Sequence, residues 1–244
     1  MNALNKVKKS GHKACINCVD GATVERNLLA TGSEDQSVRL WDIRTDRAVK
    51  CIAKCFEESV EAVRFSVSDE NVLYAASGKC LFSFDLRTDG VLITSPSIRS
   101  DSCSTDIISA VAINPSGSLL AVADDAGIVT IVDSKKLNAY KPKRLRGHSN
   151  LVNAIAFSPI DATSFVSGGF DYQLYSWDLG KPGDSPASVV DIARLGNEGL
   201  DEFSSKSVNP PFVQSLSFTC DGQAIAVALG DGSVSSHKSV KYKR

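Results

Sequence analysis

Two stretches of the chain carry hydroxyl, imidazole and carboxylate groups at one shared spacing. From His12, Thr31 follows at nineteen residues, Asp35 at twenty-three, Trp41 at twenty-nine and Asp42 at thirty. From His148, the residues Ser167, Asp171, Trp177 and Asp178 follow at the same distances, and a Gly precedes each His. These are the groups of nucleophilic catalysis. They are equally the groups through which a buried carboxylate finds its donors. Identical internal spacing in two distant segments marks a repeat, and a repeated set of this kind reads as structural rather than catalytic.

The Trp-Asp position recurs in weaker form. Asp42 is followed by Phe84-Asp85 at forty-three residues, Val132-Asp133 at a further forty-eight and Trp177-Asp178 at a further forty-five. A fifth copy, Leu216 to Lys238, keeps Asp231-Gly232 and places His237 six residues after that Asp, where a Trp would stand. Each copy reads as short alternating apolar runs separated by turns, as in LVNAIAF, SFVS and QLYSWD, and helical periodicity is hard to find. Such alternation belongs to strands. Gly-His at one end, Trp-Asp at the other and a repeat of roughly 40 to 45 residues resemble the WD40 family. The resemblance implies an all-β propeller, in which four strands make a blade and blades stack radially because none can bury both faces alone.

Within a blade, the resemblance implies a hydrogen-bonded tetrad of His, hydroxyl residue, Asp and Trp. By that match the tetrads are His12, Thr31, Asp35 and Trp41 in the first blade, and His148, Ser167, Asp171 and Trp177 in the fourth. Blades two, three and five depart from the pattern, with Gly78 and Ala126 at the turn-Asp position and Phe84, Val132 and His237 in place of Trp. They are expected to rely more on apolar packing. The expected organisation is one WD40 propeller domain over 1–244, with blades near 9–54, 55–95, 103–146, 147–193 and 208–244. An inter-blade surface loop is expected at 180–211, with room for one short strand at ASVVDIA. Five repeats fit a closed five-bladed ring or an incomplete seven-bladed one. The incomplete ring is the expectation, since the chain stops at SVKYKR, where the fifth blade's outer strand would lie. In closed family members the N-terminal strand completes the last blade, which makes ALNKVKK a strand awaiting partners.

Other chemistry has weaker support. With two of the three His claimed by tetrads, a Ser-His-Asp or Cys-His set would have to use His237, for which no oriented partner can be named. Gly230-Asp231-Gly232 reads as a strand-connecting turn rather than a phosphate loop. No enzyme is expected. Cys15-Ile-Asn-Cys18 has the spacing of half a zinc site with His12 nearby, yet a structural site needs four ligands and Cys51 with Cys55 is the only other close pair. The repeat register sets Cys15 and Cys18 opposite Leu151 and Ala154 in a first strand, where small apolar packing is ordinary. No metal and no cofactor are expected. KPKRLR at 141 to 146, with Lys6, Lys8, Lys9, Lys241, Lys243 and Arg244, offers cations to a phosphate backbone. A net charge of −1 and the lack of interleaved aromatics favour a solvated inter-blade loop instead, so nucleic acid is not an expected partner. Seven Cys at irregular spacing read as reduced thiols. No apolar run approaches the roughly 18 residues of a membrane helix, and MNALNKVKKSGHK lacks the apolar stretch of a secretory signal. The expected location is the cytoplasm or the nucleus.

After the Trp-Asp position, blade one continues WDIRTD and blade two FDLRTD, so Arg44 and Arg87 occupy one place in consecutive blades. Lys135, Gly180 and Val240 stand there in the other three. This resembles the WDxR motif of propellers that act as substrate receptors of cullin-RING ubiquitin ligases, where two adjacent blades offer Arg to the damaged-DNA-binding adaptor. The second copy departs from the motif, having Gly78 at the acidic position and Phe84 for Trp. The alternative is a local pair of each Arg with Asp46 or Asp89 in the exposed turn, a contact that contributes little. The expected function is a protein-interaction scaffold, either as such a substrate receptor or in another assembly such as ribonucleoprotein biogenesis. The order of NVLYAASGKCLFSFDLR, LLAVADDAGIVTIVD, RGHSNLVNAIAFSP and Asn209-Pro210 resembles that of one family member and implies an interaction protein with no catalytic residue.

Overall fold

The alternating runs fold as strands throughout, as the sequence predicts. A computed structural model describes residues 11–22, 27–45, 47–138, 142–195 and 209–238, and these hold twenty strands and one four-residue helix. The expected N-terminal strand ALNKVKK and the terminal SVKYKR lie outside the described residues. The chain divides into two compact units, residues 1–100 and 101–244.

In the first unit, β1 (Ile16–Gly21), β2 (Leu28–Ser33), β3 (Ser37–Asp42) and β4 (Ala48–Ala53) form an antiparallel blade in sequence order. β5 (Val60–Phe65), β6 (Val72–Ser77) and β7 (Cys80–Asp85) begin the next. The chain then returns to the first blade with β8 (Leu92–Ile93), which lies parallel to β4, before β9 (Ile98–Ser100) completes the second. In the second unit, β10 (Ile108–Ile113), β11 (Leu119–Asp124), β12 (Ile128–Asp133) and β13 (Lys143–Arg146) form the third blade. β14 (Val152–Phe157), β15 (Ser164–Gly169), β16 (Gln173–Asp178) and β17 (Ser188–Asp191) form the fourth, followed by α1 (Ile192–Leu195). β18 (Val213–Phe218), β19 (Ala224–Leu229) and β20 (Val234–Lys238) make a fifth sheet, three-stranded among the described residues.

Two segments read as inter-blade excursions contribute strands, the second of them at ASVVDIA, where one short strand is expected. KPKRLR is not a solvated loop over its last four residues. Those residues are β13, paired with β12, and Leu145 is buried while Arg144 and Arg146 on either side of it are exposed. Alternation explains this, since one apolar residue between basic ones suffices for an outer strand with one buried side chain. Within 180–211, β17 pairs with β16 as the fourth strand of its blade.

Each blade's first and second strands pair with one register shift, at Ile16/Cys18, Val60/Ala62, Ile108/Ala110, Val152/Ala154 and Val213/Ser215. A bulge at one place in every blade adds twist to the first strand. Neighbouring blades within a unit approach closely where the second strand carries a small residue. A Cβ on Gly32 would lie 2.6 Å from Val60, and one on Gly168 would lie 2.5 Å from Val213. The two glycines occupy the same repeat position, and both valines are fully buried. Burying a valine contributes about 1.5 to 3 kcal/mol, so these glycines are selected by packing rather than by backbone conformation.

Candidate functional site

The two tetrads form in near-identical geometry. In the first blade, Trp41 Nε1–H donates to Thr31 Oγ1 at 2.8 Å, and Thr31 Oγ1 lies 2.8 Å from His12 Nε2. His12 Nδ1 lies 3.1 and 3.0 Å from the two Asp35 oxygens. In the fourth blade, Trp177 donates to Ser167 Oγ at 2.8 Å, His148 Nε2 is 2.8 Å from that oxygen, and His148 Nδ1 is 3.0 and 2.9 Å from Asp171. An indole only donates and a carboxylate only accepts. The hydroxyl therefore accepts from Trp and donates to Nε2, leaving Nδ1–H to donate to the Asp. The first strand's entry is tied in as well, by Lys13 N–H to Asp35 at 2.8 Å and Ser149 N–H to Asp171 at 3.0 Å.

Hydroxyl, imidazole and carboxylate stand here in the order of a nucleophile set, but the hydroxyl cannot attack. Ser167 is fully buried, Thr31 nearly so, and each already accepts from an indole. The His and Asp side chains are 3 % and 8 % exposed in blade one and 0 % and 2 % in blade four. Burial raises the Asp35 carboxyl's affinity for protons, yet hydrogen bonds from Ser37, Lys13 and His12 outweigh it and hold the pKa at about 2. Asp171 is likewise held below the usual range, burial being outweighed by the hydrogen bond from His148 and by the amides of Ser149 and Gln173.

Blades two and three fill the same register differently. Blade two has an aromatic cluster, with Phe56 edge-on to Phe82 at 5.1 Å and to Phe84 at 5.7 Å. Gly78 adopts φ +54°, and a Cβ there would lie 2.8 Å from a Glu58 carboxylate oxygen. Blade three keeps a buried carboxylate but moves it from the turn to the end of β11. Asp124 accepts from Ser104 Oγ at 2.9 Å, Thr105 N–H at 3.2 Å and Thr105 Oγ1 at 3.0 Å, and from Ile128 N–H at 2.9 Å. Sequence reading missed this site. The usable signal was Thr105, nineteen residues before Asp124, the spacing that joins His12 to Thr31.

The Trp-Asp aspartate has one task in four blades. It accepts the N–H two residues on, from Arg44, Arg87, Lys135 and Gly180, at 2.8 to 2.9 Å. This is an Asx turn. In blades one and two the turning residue is Arg, and its guanidinium folds back onto the same carboxylate. Arg44 Nε and Nη2 meet Asp42 at 2.9 and 2.7 Å, and Arg87 Nε and Nη2 meet Asp85 at 2.9 and 2.7 Å. The local pairing is thus with the strand-end Asp42 and Asp85 rather than with Asp89, and Asp46 lies outside the described residues. The Asx turn decides this, because the same carboxylate that accepts the Arg amide is within reach of its side chain. The bond to Arg87, with its amide and charge, holds the Asp85 pKa at about 2. Both arginines remain exposed, at 68 % and 61 % of the side chain.

The remaining candidates are placed apart. Cys18 lies in β1 with its Sγ 3.7 Å from Val60 O, and burial pushes its thiol up to about 11, away from the thiolate a metal needs. Cys15 is exposed, none of the seven cysteines is in a disulfide, and no cluster of three metal-ligating residues occurs among the described residues. His237 is 3.0 Å from Ser235 Oγ, and burial lowers its pKa. Lys143 pairs with Asp184 at 3.8 Å and Arg144 donates to Ser102 O at 3.3 Å. No helix of the described residues is long and apolar enough to cross a membrane.

Comparison with known proteins agrees with this architecture. Residues 5–42 and 140–178 match the family model described as WD domain, G-beta repeat. The chain is 24 % identical over 250 residues to the WD repeat-containing protein 53 homolog of Dictyostelium discoideum, covering 98 % of this chain and 66 % of that protein. It is 25 % identical over 219 residues to Periodic tryptophan protein 2 of Arabidopsis thaliana, covering 89 % and 22 %. It is 30 % identical over 192 residues to SEC12-like protein 2 of Arabidopsis thaliana, covering 76 % and 46 %. The chain therefore spans from about a fifth to just under two thirds of the length of these relatives.

Proposed function

We propose that this chain, two segments of which match the WD domain repeat found in typical protein-interaction scaffolds, is a non-catalytic scaffold acting as a substrate receptor for a cullin-RING ubiquitin ligase in the cytoplasm or nucleus. Arg44 and Arg87 are its docking residues for the damaged-DNA-binding adaptor. One observation carries the reading. Two adjacent blades present an Arg in the same Asx turn, with the same two-bond fork to its own Asp and with most of the side chain exposed. A guanidinium held in one orientation loses less freedom on binding than a free one, which suits an interface anchor. The tetrads hold the scaffold and take no part in recognition.

Affinity purification of the full chain, with and without RNase, tests the reading. Recovery of a cullin and its adaptor, insensitive to RNase and lost in Arg44→Ala with Arg87→Ala, supports it. Lys135→Ala, at the equivalent place in blade three, should have the weaker effect. If the double variant recovers adaptor as well as wild type does, or wild type recovers none, the ligase role is wrong. RNase-sensitive recovery of ribonucleoprotein components would then favour a scaffold of that kind.

A further inference from the structure

Lys50 belongs to β4 of the first blade, but its ammonium serves the second. Lys50 Nζ donates to Thr88 O at 2.5 Å and to Gly90 O at 3.1 Å, both in the turn that follows Arg87. Beside it, Cys51 N–H donates to Val91 O at 2.7 Å, and β8 continues along β4 with Cys51 opposite Leu92 and Ile52 opposite Ile93. The other end of the turn is held by its own blade, through Leu86 N–H to Asn71 O at 2.7 Å and Thr88 Oγ1 to Asp85 O at 3.1 Å. The loop bearing Arg87 is therefore anchored at one end in blade two and at the other in blade one, which bears Arg44.

A parallel pairing of two residues is too short to hold by itself. An ammonium satisfying two turn carbonyls supplies charge-assisted bonds at the place where that pairing begins. We infer that Lys50 is the positioning residue of the two-arginine surface: it clasps the Arg87 turn onto the first blade, so that both guanidinium groups meet an acceptor-bearing protein surface at one set separation. The identity of the partner rests on the docking reading above. The clasp belongs to the free protein and stands or falls without the partner.

Lys50→Met keeps most of the stem and removes the donors, and Lys50→Arg restores donors of the same charge. Hydrogen exchange on the full chain reads the clasp, and adaptor affinity reads its consequence. Lys50→Met should speed exchange across residues 86–93 by about tenfold or more at an unchanged melting temperature, and weaken adaptor binding by about tenfold, with Lys50→Arg recovering most of both. Unchanged exchange in Lys50→Met overturns the clasp whether or not the adaptor binds. Faster exchange with undiminished affinity, in a chain that docks through Arg44 and Arg87, overturns the positioning role. If wild type binds no adaptor, the docking reading fails alone, and the exchange result still decides the clasp.

Discussion

The first and second blades share a register and fill it with opposite chemistry. Their first strands enter alike, Ile16 facing Ser33 in one and Val60 facing Ser77 in the other. Superposing those pairs sets Phe56 in the place of His12, Ala75 in that of Thr31 and Phe84 in that of Trp41. The turn is shorter too, since β6 and β7 are joined by Gly78 and Lys79 where β2 and β3 are joined by Glu34, Asp35 and Gln36. The polar network has been exchanged as a whole. Deleting Asp35 alone would strand buried donors, whereas replacing every partner by apolar groups of similar shape costs little. A blade thus needs its register and a filled interior, and either four mutually satisfied polar groups or a set of rings will serve.

That comparison breaks first where packing is densest. Phe84→Ala removes a ring that is 1 % exposed and in contact with two others, and should destabilise the protein by about 3 to 5 kcal/mol in chemical denaturation. A loss below about 1 kcal/mol would mean that the ring cluster does not hold blade two. Asp171→Ala in blade four should cost less, on the order of 1 to 3 kcal/mol, because it orphans His148 and two amides without opening a large cavity. An unchanged melting temperature combined with lost partner binding would turn the tetrad from a structural network into a recognition site.

Acid sharpens the contrast. The Asp35 pKa lies at about 2 in the folded protein, below the ordinary 3.8. Its stabilising share is therefore fully present above the unfolded value and is lost as pH falls from near 4 toward 2. Denaturation measured at stepped pH should show a shallower acid-side loss in Asp35→Asn than in wild type, while Phe84→Leu, which carries no titrating group, should keep the wild-type slope. Equal slopes in all three proteins would remove Asp35 from the acid response. The smallest effect is expected at the arginines. Arg44→Ala with Arg87→Ala should move the thermal transition by no more than about a degree or two, as exposed charges contribute little to stability. A larger drop would show that the Asx-turn forks brace the blades, and would blur the line between docking and folding.

What the sequence by itself determined lies within single blades, where the repeat positions keep their residue types. Strands pair with their immediate successors, side chains alternate with a period of two, and so the distance from His12 to Thr31, Asp35 and Trp41 is enough to bring those four side chains together. The same regularity made the all-β fold and the fourth-blade copy legible. Asp124 was harder, because its carboxylate left the repeat position while its role stayed. The return of β8 to the first blade, and the reach of Lys50 across thirty-eight residues to Thr88, only the tertiary structure decided. The acceptors there are backbone carbonyls, which every residue carries and no residue type announces. Whether they face a lysine depends on how one blade's turn falls against its neighbour's edge, a question of packing that spacing along the chain does not encode.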